Sequence, residues 1–354
     1  MGNKSKKFST KCVHEGEIKD TMYQGIVSPL FMSTTYPWFG GDDPEKKPYP
    51  RYFNTPNQEF LSKKIASLEN GEKALIFTSG MAAISTSIMA NVKTGDHIVV
   101  QNDIYGGTRN FVLTEFDKFG IEYSFTDGLD PFSFSDQIKD NTVGIYLETP
   151  SNPLLKIVDL KSLSSIAKDN GLWTMIDNTF SSPVNQNPID HGIDIVLHSA
   201  TKYLGGHSDI SAGAVISTES RIEQILNSAK NFGGNLSDYT VWLLERSIKT
   251  LHIRVREQTN NAKILAKMLD ENTNISKVYY PGLESHPSHE IAKSQMNDFG
   301  GMMSFDLNNN VDVYDFLKSL NLVKPGMSLA GVESTVNFPM KTSHGLMTQK
   351  ERDI

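Results

Sequence analysis

The stretch DIVLHSATKYLGGHSDISAG, Asp194–Gly213, sets an apolar run against a lysine, small hydroxyl residues and two glycines. Ile193 to Leu197 reads as a buried strand, because it is short, β-branched and bounded by turn residues. Ser199 and Thr201 alternate, so in extended backbone their hydroxyls leave on one side. Lys202 then stands at or near the strand's end, where α/β sheets hold ligands. Burial disfavours an ammonium and makes the amine nucleophilic, which suits Schiff-base chemistry. Gly205 and Gly206 let backbone approach something bulky. The same letters also fit a strand-end lysine paired with a surface carboxylate, so the rest of the chain has to decide.

On either side of this stretch, from about Leu61 to Val215, apolar strands alternate with helical segments. ALIFTSG, DHIVVQND, IEYSF, VGIYLET, LWTMID, DIVLHS and AGAVIS are the strand candidates, and MAAISTSIMANV and LKSLSSIAKDNG are helices between them. Alternation of this kind predicts an α/β fold with a mostly parallel sheet flanked by helices. Residues up to about Phe60, rich in Pro, Gly and aromatics, read as an extended arm that lies on another subunit. A long helical stretch, Ser237 to Glu271, precedes a smaller α+β region built from KVYYPGL, GMMSFDL and DVYDFLKSL. The expected division is an arm over 1–60, a cofactor-binding domain over 61–245 and a C-terminal domain over 246–354.

The 354 residues suffice for two domains and a large core. A net charge of −7 argues against a nucleic-acid partner. The basic cluster between Lys4 and Lys7 reads as a solvated terminus. No apolar stretch approaches a membrane span, and MGNKSKKFSTKC lacks the apolar core of a signal peptide. Lys6 stands where a myristoylation motif needs Ser or Thr. A single cysteine, Cys12, excludes an intrachain disulfide and a cysteine-based zinc site. These features together fit the cytoplasm. Neither a G-x-G-x-x-G after a strand nor a G-x-x-x-x-G-K-[ST] occurs, so dinucleotide binding and P-loop chemistry are unsupported.

Four further stretches fall at ends of the expected strands. FTSGMAAI, Phe77–Ile84, is a strand, a small turn and a helix start, which cradles phosphate or is simply a Ser-capped turn. NDIYGGT offers Tyr105 to stack on a planar ring, or a half-buried turn tyrosine. YLETPSNP ends a strand in Glu148 and brings Asn152, a partner for a ring hydroxyl or a turn former. WTMIDNTF ends an apolar strand in Asp177, and a carboxylate buried there needs a partner, whether a protonated ring nitrogen, a helix or a structural cation. Taken together they describe one site with a phosphate cradle, a stacking ring, an acid for a pyridinium nitrogen and a Schiff-base lysine. Pyridoxal phosphate needs these four things.

SATKYLGGHSD, IDNTF, ETPSNP, YGGT, SGMAA, RSIKTLHIR and YPGLESHPSHE together closely resemble the Cys/Met-metabolism, or trans-sulfuration, family of pyridoxal-phosphate enzymes. That family includes cystathionine γ-lyase, β-lyase and γ-synthase and methionine γ-lyase. The resemblance implies the fold-type I, aminotransferase-like architecture and a homo-oligomer, a dimer of dimers with shared active sites. It implies Lys202 as the Schiff-base lysine, Asp177 as the pyridinium partner and Tyr105 as the stacking ring. Gly80 and Met81 match the phosphate-binding amides, Ser199 and Thr201 the phosphate hydroxyls, and Asn152 the asparagine near the ring hydroxyl. YPRYFNTPN resembles the arm that reaches a neighbour's phosphate through Tyr49 and Arg51. It has one residue more than usual between Arg51 and Pro56, which leaves Tyr52 a rival to Tyr49. Ser328 matches a serine that helps hold the substrate carboxylate. HPSHE, His286–Glu290, is a surface loop in that family, and two histidines without a third ligand argue against a metal.

The implied reaction is C–S cleavage, or its reversal by thiol addition, on a small sulfur amino acid. A glutamate often precedes this serine in the γ-lyases and γ-synthases and meets the distal amino group of cystathionine. Here Met327 stands there, which suits a smaller or less charged leaving group. Methionine γ-lyases usually carry a cysteine where this chain has Gly107, so the two indicators disagree. The expected activity is a lyase acting on cystathionine or a similar amino acid, with a γ-synthase as the alternative. The family continues past ERDI with an arginine that grips the substrate carboxylate. A chain ending at Ile354 is therefore expected to bind cofactor but turn over poorly.

Overall fold

The computed structural model describes residues 6–40, 47–128, 130–342 and 345. Part of the Lys4–Lys7 cluster and the closing ERDI lie outside them. Seven strands form one sheet: β1 Lys73–Phe77, β2 His97–Gln101, β3 Glu122–Thr126, β4 Thr142–Glu148, β5 Trp173–Asp177, β6 Ile195–His198 and β7 Gly213–Ser217. All seven coincide with expected strand segments. Their order is β1-β7-β6-β5-β4-β2-β3, and only β7 runs against its neighbours. This is the mostly parallel, helix-flanked sheet that the alternation predicts.

Both faces of the sheet are covered, so its strands read as nearly continuous apolar runs. Ile76, Val99, Ile145, Ile176 and Val196 pack on one face with helices Pro56–Leu68 and Leu160–Asp169. Leu75, Ile98, Met175, Ile195 and Leu197 pack on the other with helices Gly80–Ala90 and Glu219–Phe232. Neighbouring residues along each strand divide between the two cores, as a period of two requires. The chain moves from β2 outward to β3, then crosses back to β4 on the other side of β2. Ligands of open α/β sheets bind outside the carboxyl ends of the strands at such a reversal. Tyr105 follows β2 there, and Asn152 follows β4.

Three local expectations need correction. The long helical stretch divides into Asp238–Ile248 and Leu251–Asp270. At the division Ser247 O accepts the Thr250 N–H at 3.3 Å, the Thr250 hydroxyl at 3.2 Å and Arg254 Nη2–H at 3.0 Å, which compete with the helical ladder. The arm is not featureless: it holds helix Phe8–His14, and helix Pro56–Leu68 begins before Phe60, started by a Thr55–Gln58 capping box. HPSHE is only in part a surface loop, with Pro287 and Glu290 exposed. His286 and Ser288 are buried, and His289 stacks on Phe299 with ring centroids 5.3 Å apart. Burial pushes the His286 imidazole down to about 4.

The smaller C-terminal part pairs β8 Ile275–Tyr279 with β9 Ser304–Leu307, antiparallel, and adds helix Val313–Ser319. Among the described residues no helix is long and apolar enough to cross a membrane, and no group of three or more His, Cys, Asp or Glu side chains could hold a metal.

Candidate active site

The carboxyl ends of β4, β5 and β6 form the rim on which the expected side chains meet. Asp177 closes β5, is 5% exposed, and pairs in register with Glu148, which closes β4. Thr179 gives Asp177 its N–H at 3.0 Å and its hydroxyl as well. Burial raises the Asp177 carboxyl, while Thr179, His198 and Lys202 pull it back down. Thr179 Oγ1 also accepts the Ser199 N–H at 2.8 Å, tying the acid to the chain that leaves β6.

Ser199 meets the turn after β1. A Cβ added to Gly80 would lie 2.8 Å from Ser199 Cβ, so only glycine lets helix Gly80–Ala90 start this close. Ser79 caps that helix by accepting the Ala82 N–H at 3.1 Å. The N–H groups of Gly80 and Met81 precede it and have no partner among the described residues.

Glu148 joins the other two loops. Its Oε2 accepts the Tyr105 N–H at 2.8 Å, and it also accepts the Asn152 N–H. Burial, reinforced by the charge of Asp177, holds this carboxyl well above the usual range. The Tyr105 ring is 40% exposed and free to face a ligand. Lys202 is half-buried, and burial lowers its pKa while Asp177 works the other way. Its Nζ donates to Ser328 Oγ at 2.9 Å, which brings the C-terminal loop to the rim.

One connected set of contacts thus runs from Gly80 through Ser199, Thr179, Asp177 and Glu148 to Tyr105 and Asn152. Lys202 and Ser328 stand beside it. Residues 9–354 match the family described as Cys/Met metabolism PLP-dependent enzyme. The chain belongs to that family. It is 41% identical over 347 residues to cystathionine beta-lyase of Lactococcus lactis subsp. cremoris, covering 98% of this chain and 91% of the relative. It is 39% identical over 347 residues to cystathionine gamma-lyase of Bacillus subtilis, with the same coverages. A solved cystathionine gamma synthase from Xanthomonas oryzae pv. oryzae, in complex with aminoacrylate and cysteine, superposes with a TM-score of 0.95 at 35% identity. That match covers 99% of this chain and 91% of the solved one.

Pyridoxal phosphate is the family's cofactor, and the residues present fit it. The bare Gly80 turn, with two unpartnered N–H groups, suits a phosphate. Asp177 is a buried acid bonded only to Thr179 among the described residues, and it suits a cationic ring nitrogen. Lys202, its amine biased toward the neutral form, suits a carbonyl carbon.

Some expectations land elsewhere. The Ser199 and Thr201 hydroxyls do not leave side by side from a strand, because β6 stops at His198 and a turn follows. Thr201 Oγ1 sits on the Ala212 backbone, donating to its carbonyl at 3.2 Å and accepting its N–H at 3.0 Å. The bulky group beside Gly206 is Arg254: a Cβ there would lie 1.8 Å from Arg254 Nη1, which donates to Tyr203 O at 2.9 Å. RSIKTLHIR therefore braces the lysine turn from below. Tyr49 and Arg51, expected at a neighbour's phosphate, stand away from their own chain's rim. Together with Tyr36, Trp38 and Tyr52 they line a separate cleft of about 440 Å³. Arg51 donates to Lys230 O at 2.8 Å and lies against both tyrosine rings, 5.8 Å from Tyr49 and 5.3 Å from Tyr52. Phe53, in the irregular stretch before Pro56, has φ +57° and packs on Phe77.

Sequence reasoning left Thr179 without a role and Glu148 as a strand end only. A signal for Thr179 was present, since it lies two residues beyond Asp177 within IDNTF. The role of Glu148 needed the pairing of β4 with β5, which no local pattern specifies.

Proposed function

We propose that the chain is a carbon–sulfur lyase acting on cystathionine or a similar sulfur amino acid, with Lys202 as its central base. Pyridoxal phosphate, when bound, supplies an electron sink conjugated to the substrate's α-carbon. Gly80 and Met81 N–H groups with Ser199 hold its phosphate, with Thr201 bracing the turn behind them. Asp177 pairs with its ring nitrogen, Tyr105 covers its ring and Asn152 lies near its ring hydroxyl. Lys202 Nζ anchors the group and later takes the substrate's α-proton. The amine is suited to this because burial favours its neutral form. Ser328, bonded to the same Nζ, holds the substrate carboxylate next to that base.

The observation that carries this reading is Lys202 Nζ itself, 2.9 Å from Ser328 Oγ and biased toward neutrality near a buried acid. Met327, 83% exposed next to Ser328, brings no charge to the leaving-group side. Gly107 argues against a cysteine at its position. A Cβ there would lie 2.5 Å from Tyr105 Cε1, so the stacking ring would have to move. Product analysis tests the proposal. Cystathionine should yield ammonia with pyruvate and homocysteine by β-cleavage, or with 2-oxobutanoate and cysteine by γ-cleavage. No ammonia, but a new thioether from an activated homoserine and a thiol, would make the chain a γ-synthase.

We further infer that two copies share each site, in a cytoplasmic dimer of dimers. Tyr49 and Arg51 are exposed and stand apart from their own chain's rim. A hybrid of an Arg51→Ala chain with a Lys202→Ala chain should regain one intact site per dimer. No recovery in verified hybrids would place Arg51 within its own chain or outside the site.

A further inference from the structure

On the opposite face of the sheet from Asp177 lies a buried polar network that the chemistry above does not use. Asp177 and Leu197 pair in register, so His198 projects away from Asp177, toward the core that holds Ile176 and Val196. His198 Nε2 lies 2.5 Å from Oε1 of Glu69, the residue that ends helix Pro56–Leu68. Both side chains are almost fully buried, at 2% and 0% exposure. The same Oε1 accepts Asn178 Nδ2–H at 2.9 Å, and Asn178 is the residue after Asp177. Glu69 therefore grips the end of β5 through Asn178 and the end of β6 through His198, one residue from Asp177 and from Ser199 respectively. Gln186 extends the network, donating to Asn178 Oδ1 at 3.0 Å and to Thr149 O at 2.9 Å in the loop that carries Asn152.

We propose that the Glu69–His198 pair is a positioning device for Asp177: it locks the ends of β5 and β6 together and places a positive charge behind the Asp177 carboxylate. A buried ion pair is seldom a net source of stability, since desolvating two charges costs about as much as their attraction returns. A role in fixing and polarising the neighbouring strand ends gives this one a purpose. A protonated imidazole at His198 acts on Asp177 in the required sense, opposing the upward push of burial. The other groups facing Asp177 are Lys202 and Thr179, with Glu148 and Tyr146 beside it. Glu69 is the group that faces His198.

The inference rests on the role proposed for Asp177, so the experiment includes Asp177→Asn. The test variant is His198→Gln with Glu69→Gln, which removes both charges and keeps two amides of similar reach. Should it not fold, His198→Asn with Glu69→Gln removes the same charges in less volume. The control is Asn187→Ala. Asn187 Nδ2 bonds Glu69 Oε2 at 3.3 Å and Leu68 O at 2.8 Å, so its loss loosens Glu69 and leaves both charges. Three readouts are followed on the holoenzymes: thermal melting, the pH profile of kcat/KM and the pyridoxal phosphate dissociation constant across pH. Without the charge behind it the Asp177 carboxyl rises, so more of it is protonated at a given acid pH. The acid limb of the neutral-pair variant should move up by about half to one pH unit. Its cofactor should also dissociate several-fold more readily below neutrality than above. Asn187→Ala should melt earlier with both pH dependences unchanged. A neutral-pair variant that only melts earlier, while Asp177→Asn is crippled, would overturn this inference alone. An Asp177→Asn enzyme with wild-type rates would overturn the reading beneath it.

Discussion

The rim that carries Asp177, Ser199 and Lys202 and the loop that carries Ser328 face each other across one hydrogen bond, yet they are built from different material. Every residue of β5 and of β6 is buried, and Asp177 is itself buried at a strand end. Four backbone N–H groups, of Thr179, Tyr105, Asn152 and Ser199, and a buried polar network fix the positions of Asp177, Glu148 and Ser199. The Ser328 loop is mostly exposed or half-buried. Besides Lys202 it is tied by Thr335 Oγ1–H to Ser328 O at 3.4 Å, by Gln258 Nε2–H to Gly331 O at 2.7 Å, by Ser208 Oγ to Glu333 at 3.2 Å and by the short pairing of Lys324–Pro325 with Thr335–Val336. Met327 beside it is largely exposed. On the proposed roles, buried strand ends hold the groups of the chemistry and an exposed loop holds those of substrate choice.

If that contrast is right, changes on the rim should cost far more than changes on the loop. Lys202→Ala should have the largest effect. Turnover should fall roughly ten-thousandfold, because the base itself is gone, and the holoenzyme should lose its visible absorption band. Steady-state kinetics and an absorption spectrum check both. Asp177→Asn should come next, with kcat down roughly a thousandfold, about 4 kcal/mol of barrier, since an amide cannot support a protonated ring nitrogen as an anion does. Cofactor should stay partly bound. Wild-type kcat in this variant would make Asp177 merely structural.

Gly206→Ala probes the brace beneath the lysine. With φ at +67° and Arg254 Nη1 1.8 Å from the new Cβ, it should destabilise the fold by about 2 kcal/mol, read from urea unfolding midpoints. Activity should drop less than in either rim variant. The smallest effect belongs to the loop. Met327→Glu should leave kcat within a few-fold and lower KM for cystathionine by about tenfold, through a charge-assisted bond to the distal ammonium. A Met327→Glu enzyme as damaged as Asp177→Asn would erase the distinction between the two halves.

The same contrast explains what the sequence made legible. All seven strands were readable because a sheet buried on both faces leaves continuous apolar runs such as HIVVQ and WTMID. The positions of Asp177, Gly80 and Lys202 at the sheet's rim were readable because the first ends such a run and the other two follow one within a few residues. The division at Thr250 was hidden, since apolar residues continue across Ile248 and Leu251 and the break shows only in the donors that gather on Ser247 O. The alternation that sets the Thr201 hydroxyl beside that of Ser199 ends at His198, three residues before Thr201. The partner of Gly206 lies 48 positions downstream, and Glu69 meets His198 across 129 positions. Spacing along the chain carries no information about such contacts, and neither does composition.

The central claim is that Lys202, and no other lysine, carries the cofactor. Borohydride reduces the carbon–nitrogen double bond between a lysine and bound pyridoxal phosphate, leaving a stable pyridoxyl group. Holoenzyme treated in this way, digested and sequenced by mass spectrometry should carry that group on the peptide containing Lys202, at about one per chain. Pyridoxyl on a different lysine, or none on Lys202 in protein verified to hold cofactor, would contradict the account.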